Sequence, residues 1–109
     1  MKKIILNLLV VASLQAGNPL IDGSKAWEQY DNGFKDVNDL NFGYYMGIMQ
    51  GVRTSLDGIL FCTPKNTDNN QLGAIVRKYI KNNPEKWNES YWNLIVTPLK
   101  NAFPCKKKK

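Results

Sequence analysis

Apolar residues recur at helical spacing in four stretches of the chain, and polar or helix-breaking residues separate them. In the first stretch Leu20, Ile21, Ala26, Trp27 and Tyr30 predict a short helix over residues 20–32, with Asp22 or Ser24 as its cap. Asp31-Asn32-Gly33 is the stop. The second stretch, Asp36 to Asp57, is the longest. Asp36 suits the N-cap, and Asp39 falls three residues later, near the positive end of the helix dipole. Leu40, Tyr44, Ile48, Val52 and Leu56 make one i, i+4 ridge, and Phe42, Tyr45 and Met49 a second stripe. A helix apolar on two sides is expected at the centre of a bundle. Gly58 is the expected residue just past its end.

The third helix has the cleanest pattern. Asp68 stands three residues before Gln71, which is capping-box spacing, and Leu72, Ile75, Val76, Tyr79 and Ile80 follow at i, i+3, i+4, i+7 and i+8. Arg77, Lys78 and Lys81 are placed in its last turns, where the dipole favours cations. Asn82-Asn83-Pro84 ends the helix, because a residue before proline is pushed out of the α region. The last stretch runs from Glu89 to Phe103, with Tyr91, Trp92, Ile95, Leu99 and Phe103 as its core face. Pro98 inside it predicts a kink or break, or a second short segment capped by Thr97. Between the second and third helices, Ile59-Leu60-Phe61-Cys62 is expected to carry a cysteine into the core. The fold class is all-α: a small bundle of four to five short helices.

Gly43, Gly47 and Gly51 recur every four residues in the second helix. Each glycine costs a helix about 1 kcal/mol relative to alanine. Three on one face predict close packing against a neighbouring backbone, from this chain or from a second copy in a homodimer. In an uninterrupted apolar helix the same spacing marks a membrane dimer, but Asp36, Asp39, Gln50, Arg53 and Asp57 interrupt this one.

The first residues change the picture. Lys2 and Lys3 precede an apolar run, Ile4 to Leu14, broken only by Asn7 and Ser13. A membrane-spanning helix needs about 20 apolar residues. Eleven, followed by Gly17-Asn18-Pro19, predict a cleaved secretory signal peptide over residues 1–16, ending at Ala16. The alternative is an N-terminal core helix. The exported domain would cover residues 17–105, with Lys106 to Lys109 as a solvated tail. Export places the chain in a disulfide-permissive compartment. Its two cysteines, Cys62 and Cys105, allow one pairing. The alternatives are two buried thiols or a reactive thiol.

Composition excludes several chemistries. The chain has no histidine, which removes Ser-His-Asp and Cys-His nucleophiles and histidine-ligated metals. Two cysteines are too few for a cysteine-only zinc site. We therefore expect no cofactor and no metal. Asp22, Asp31, Asp57, Asp68 and Glu85 are available, but no spacing marks a catalytic pair. The net charge of +6 comes from 15 basic and 9 acidic residues, and six of the lysines lie in the first three and last four positions. The rest is balanced, which argues against a nucleic-acid-binding face.

Four blocks then resemble one family in order. They are Gly43-Tyr44-Tyr45-Met46-Gly47; Phe61-Cys62-Thr63-Pro64 with Gln71 seven residues on; Val76 to Pro84, with Tyr79, Ile80 and Asn83; and Ala102-Phe103-Pro104-Cys105. Together they resemble the Rap/Tai family of type VI secretion immunity proteins, over roughly residues 36–105. The resemblance implies a small helical periplasmic protein, not an enzyme, that binds and neutralises a secreted peptidoglycan amidase effector. Many members carry a second cysteine pair, where this chain has Trp27 and Phe42, and a small residue where it has Pro98. Two other classes remain: a small periplasmic chaperone or lysozyme-type inhibitor, and a secreted enzyme using carboxylates.

The connection between the last two helices is polar except for Trp87. A large aromatic there either packs on the bundle end or anchors an interface. Asn83, Glu85, Lys86 and Trp87 are accordingly the expected effector contact, with Pro84 stiffening the segment.

Overall fold

In a computed structural model, residues 18–33 and 39–106 are described. The expected signal peptide, the Asp36 cap and Lys107 to Lys109 lie outside them. Four α-helices follow one another: α1 Pro19–Asp31, α2 Asp39–Leu56, α3 Asn69–Asn82 and α4 Tyr91–Ala102. A single 3-10 turn, Pro84–Lys86, precedes α4. Among the described residues there is no strand, only an isolated bridge between Asp57 and Phe61. The fold is thus the small all-α bundle that the periodicity predicts.

The ends of the helices show why they start and stop. The cap of α1 is Asn18, not Asp22 or Ser24: its side chain accepts from the amides of Leu20 and Ile21, and Pro19 takes the position whose N–H is not needed. Asn18 and Pro19 also end the preceding apolar run, which masks their role as a helix start in the sequence. Gly33 adopts φ 87° after α1, and Gly58 adopts φ 88° after α2, the left-handed conformation expected of a helix terminator. Asp68 caps α3 by accepting from the Gln71 amide, as the sequence predicts. Ser90 caps α4 by accepting from the Asn93 amide.

Helix α4 continues through Pro98, whose side is buried, so neither a break nor a Thr97 cap forms. Packing on Pro98 outweighs the lost hydrogen bond and the clash that proline brings to a helix interior.

The core is built around Leu20, Trp27, Tyr45, Met49, Phe61, Leu72, Val76, Ile80, Leu94 and Leu99. Helix α1 packs on α2 and α3, and α3 also packs on α2 and α4. Helices α2 and α4 have no comparable contact with each other. The core face of α2 is therefore the second stripe, with Tyr45 and Met49 fully buried. The longer ridge is not a core face: Leu40 is 80% exposed and Tyr44 43%, while Ile48, Val52 and Leu56 are half-buried.

Cys62 and Cys105 form a disulfide across 43 positions of sequence. The Cys62 amide also donates to the Phe103 carbonyl at 2.8 Å, so the end of α4 is tied to the segment after α2. Of the apolar run that carries Cys62, only Phe61 is buried, and Ile59 is 70% exposed.

Candidate functional site

Among the described residues nothing packs closely on Gly43, Gly47 and Gly51, where close packing was expected. A Cβ placed on any of them meets nothing within 4 Å. The close approaches are at two other glycines. A Cβ on Gly23 of α1 would lie 2.8 Å from Tyr45 Cβ and 2.9 Å from the Asn41 carbonyl oxygen of α2. A Cβ on Gly73 of α3 would lie 3.2 to 3.4 Å from the rings of Trp27 and Tyr45. Single glycines without a repeat gave no sequence signal, while the repeat that did lies on the outer face. Trp27 fills part of this contact.

Two polar devices hold the three-helix layer. The Tyr45 hydroxyl donates to the Gly73 carbonyl at 2.6 Å, and burial pushes its pKa far up, so it stays a donor. Arg77, expected only as a helix-end cation, is buried. Its Nη1 donates to Ser24 Oγ at 3.1 Å and its Nη2 to Glu28 Oε1 at 3.2 Å. Lys81 Nζ lies 3.3 Å from Glu28 Oε2. Desolvation pushes the Glu28 carboxyl up, but the hydrogen bonds and charges of Arg77 and Lys81 outweigh it and hold the pKa below its ordinary value. Ser24–Glu28 and Arg77–Lys81 are both i, i+4 pairs, a complementarity readable in the sequence only once α1 and α3 are known to be neighbours.

The connection expected to meet a partner is largely engaged by its own chain. Trp87 is half-buried: its indole N–H donates to the Ile80 carbonyl at 2.6 Å, and Lys25 Nζ stands 5.4 Å from its ring centroid. The Asn83 side chain donates to the Tyr79 carbonyl at 2.8 Å. Lys86 Nζ lies 3.4 Å from the Tyr79 hydroxyl and over that ring. Glu85 is exposed.

An apolar groove lies between α2 and α4, which make little contact with each other. Ile48, Val52 and Leu56 form one wall, and Tyr91, Trp92, Ile95 and Val96 the other, around a volume of about 260 Å³. Trp92, expected in the core, is 55% exposed at its lip. At the end nearest α1, burial pushes the Tyr91 hydroxyl pKa up, and a hydrogen bond with Tyr44 adds to this, against a backbone hydrogen bond with Leu20. The charge of Asp22 acts on the same hydroxyl. The ridge read from the sequence as core thus forms the rim and one wall of this groove.

Among the described residues no group of His, Cys, Asp or Glu is placed to hold a metal, and no helix is long and apolar enough to cross a membrane. Asp57 is held by its neighbours: Thr63 donates to its two carboxylate oxygens, at 2.9 Å from the amide and 2.5 Å from the hydroxyl. Desolvation raises its pKa, but these bonds, with Arg53 and the Gly58 amide, bring it below the ordinary value. Such an arrangement stabilises a loop rather than poising an acid or base.

A family model described as Rap1a immunity proteins matches residues 22–105. No curated protein and no solved structure gives a significant match.

Proposed function

The chain belongs to the Rap1a family of immunity proteins, and on that premise we propose that it binds and neutralises a peptidoglycan amidase delivered by a type VI secretion system. The match over residues 22–105 carries this reading, since it takes in α2, α3 and α4 whole and α1 from Asp22. In this reading the protein acts in the periplasm after loss of residues 1–16, and it works by covering the toxin's surface, without chemistry of its own. The disulfide is in keeping with an oxidising compartment.

The Asn83–Trp87 connection is proposed as a rim contact, made through Glu85 and the outer part of Lys86, because Asn83 and Trp87 have internal partners. Four residues after Trp87 the chain enters the groove wall at Tyr91. The glycine face of α2 remains available to a second copy, and a homodimer through it is a further part of the proposal.

The test is direct. The exported amidase encoded beside this chain's gene is purified and titrated with the mature protein by calorimetry, and its hydrolysis of peptidoglycan is followed. Tight one-site binding with loss of hydrolysis is expected. An amidase that neither binds nor is inhibited would overturn the reading.

A further inference from the structure

The disulfide concentrates charge that the sequence keeps apart. Within six positions of Cys62 or Cys105 stand six lysines, Lys65, Lys100 and those at 106–109, against two acids, Asp57 and Asp68. The rest of residues 17–109 carries seven basic and seven acidic residues. All the net positive charge of that stretch therefore belongs to the bridged end of the bundle. The bridge joins Cα atoms 4.9 Å apart across 43 positions, so Lys65 and the lysines after α4 become neighbours only in the fold. Lys65 stands three positions from Cys62 and Lys106 next to Cys105, each within about 11 Å of chain from the bridge. Lys65, Lys100 and Lys106 are exposed, and among the described residues they form no ion pair. The two acids are engaged, Asp57 by Thr63 and Arg53 and Asp68 by the Gln71 amide.

An apolar side chain stands at the same end. Ile59, three positions before Cys62, is 70% exposed at the tip of the turn after α2. That turn is braced from within. The Gly58 amide donates to the Phe61 carbonyl at 2.7 Å, Phe61 is fully buried, and Asp57 accepts from the Thr63 amide at 2.9 Å. Ile59 is thus held outward, and its use in a contact costs little ordering.

The residue types narrow the partner. Protein interfaces favour arginine, tyrosine and tryptophan and are poor in lysine. The patch holds none of those three, and its phenylalanines, Phe61 and Phe103, pack on the core, which leaves no ring to stack on a nucleobase. Lysine is a point charge on a flexible stem, suited to phosphates spread over a surface rather than to a fixed, forked acceptor. An isolated isoleucine among lysines enters a headgroup layer while the ammonium groups stay level with the phosphates. No helix among the described residues is long and apolar enough to cross a membrane, so such a contact is peripheral.

We propose that the bridged end of the bundle binds anionic phospholipid surfaces, with Ile59 entering the headgroup layer and Lys65, Lys100 and the lysines at 106–109 on lipid phosphates around it. Each lysine near such a surface strengthens adhesion about fivefold, and salt screens the effect within about 10 Å.

The experiment is co-sedimentation of residues 17–109 with vesicles of phosphatidylglycerol and phosphatidylcholine in equal parts, and of phosphatidylcholine alone. The amidase takes no part in it, so its outcome is independent of the immunity reading. The chain should partition onto the anionic vesicles, less as salt rises, and leave the zwitterionic ones in the pellet without it. Lys106→Gln, Lys107→Gln, Lys108→Gln and Lys109→Gln together should lower the partition coefficient about a hundredfold or more. Ile59→Ser should lower it several-fold, and by a similar factor at each salt concentration, because salt does not screen an apolar contact. Lys25→Gln, on the exposed side of α1, should leave it unchanged. Circular dichroism confirms that each variant folds. No partition onto anionic vesicles, or equal partition onto both kinds, overturns the proposal. So does an Ile59→Ser protein of unchanged partition that, like the unaltered chain, binds soluble polyglutamate as tightly as vesicles, since the lysines then serve any polyanion.

Discussion

Replacing glycine by alanine should act in opposite directions on the two sides of this bundle. At Gly47 the new methyl group meets nothing within 4 Å. The helix gains up to about 1 kcal/mol from propensity and the smaller entropy of the unfolded chain. At Gly23 the same gain is opposed by contacts of 2.8 Å and 2.9 Å with Tyr45 Cβ and the Asn41 carbonyl. Both belong to or adjoin the α2 backbone, so no side chain can rotate away. Carbon contacts are optimal at about 3.5 to 4.0 Å, so α1 and α2 must part by about 0.6 Å or more. Overpacking of this kind costs about 1–3 kcal/mol or more, which exceeds the propensity gain. For a domain of this size 1 kcal/mol is about 4–8 °C. Gly47→Ala should therefore melt a few degrees higher, and Gly23→Ala about 5–15 °C lower. Differential scanning calorimetry of the oxidised protein at two concentrations measures both. A Gly23→Ala protein that melts above the parent refutes the close approach of α1 and α2. A Gly47→Ala protein that melts lower, by an amount that depends on concentration, shows the glycine face to be packed against a second copy.

Cys62→Ser with Cys105→Ser should lower stability by about 4 kcal/mol on the loop-closure model, read as a large fall in melting temperature that dithiothreitol reproduces in the parent alone. An equal melting temperature with and without reductant would contradict the bridge. Glu28 and Asp57 both have folded pKa values held below their ordinary ones. Their contribution is present above the unfolded values and is lost as pH falls through the folded ones. Melting temperature should thus drop below about pH 4.5, and Glu28→Gln should lose part of that dependence while melting lower at neutral pH; an unchanged acid slope would refute the role of the Arg77 pair. Trp87→Phe removes the donor to the Ile80 carbonyl and should cost about 1 kcal/mol, seen in chemical denaturation, with no loss if the bond is unimportant.

The parts of this fold legible in the sequence are those set locally. Asp68 and Gln71 mark the start of α3, Gly58 marks the end of α2, and two cysteines allow one bridge. What failed depended on which helices meet. The ridge from Leu40 to Leu56 and the stripe through Tyr45 and Met49 are both apolar, and periodicity cannot say which one faces the core. The structure buries the shorter stripe because Gly23 and Gly73 let α1 and α3 close on Tyr45. Arg77 was misread for the same reason: its charge suits a helix end, and its counter-charge lies 49 positions away on α1. The groove was legible only as a surplus of apolar positions on α2, without its second wall.

Helix α2 divides its work by face. Tyr45 and Met49 are committed to the interior, whereas Ile48 and Val52 lie on the groove side. Substitutions in the second set change the groove wall while the first set keeps the bundle intact. The groove wall can therefore vary through intermediates that are still folded and still bridged. The glycines at 43, 47 and 51 extend that latitude, since a side chain added to any of them enters open space. The chain thus keeps a reserve of surface on which new recognition can arise at little thermodynamic cost.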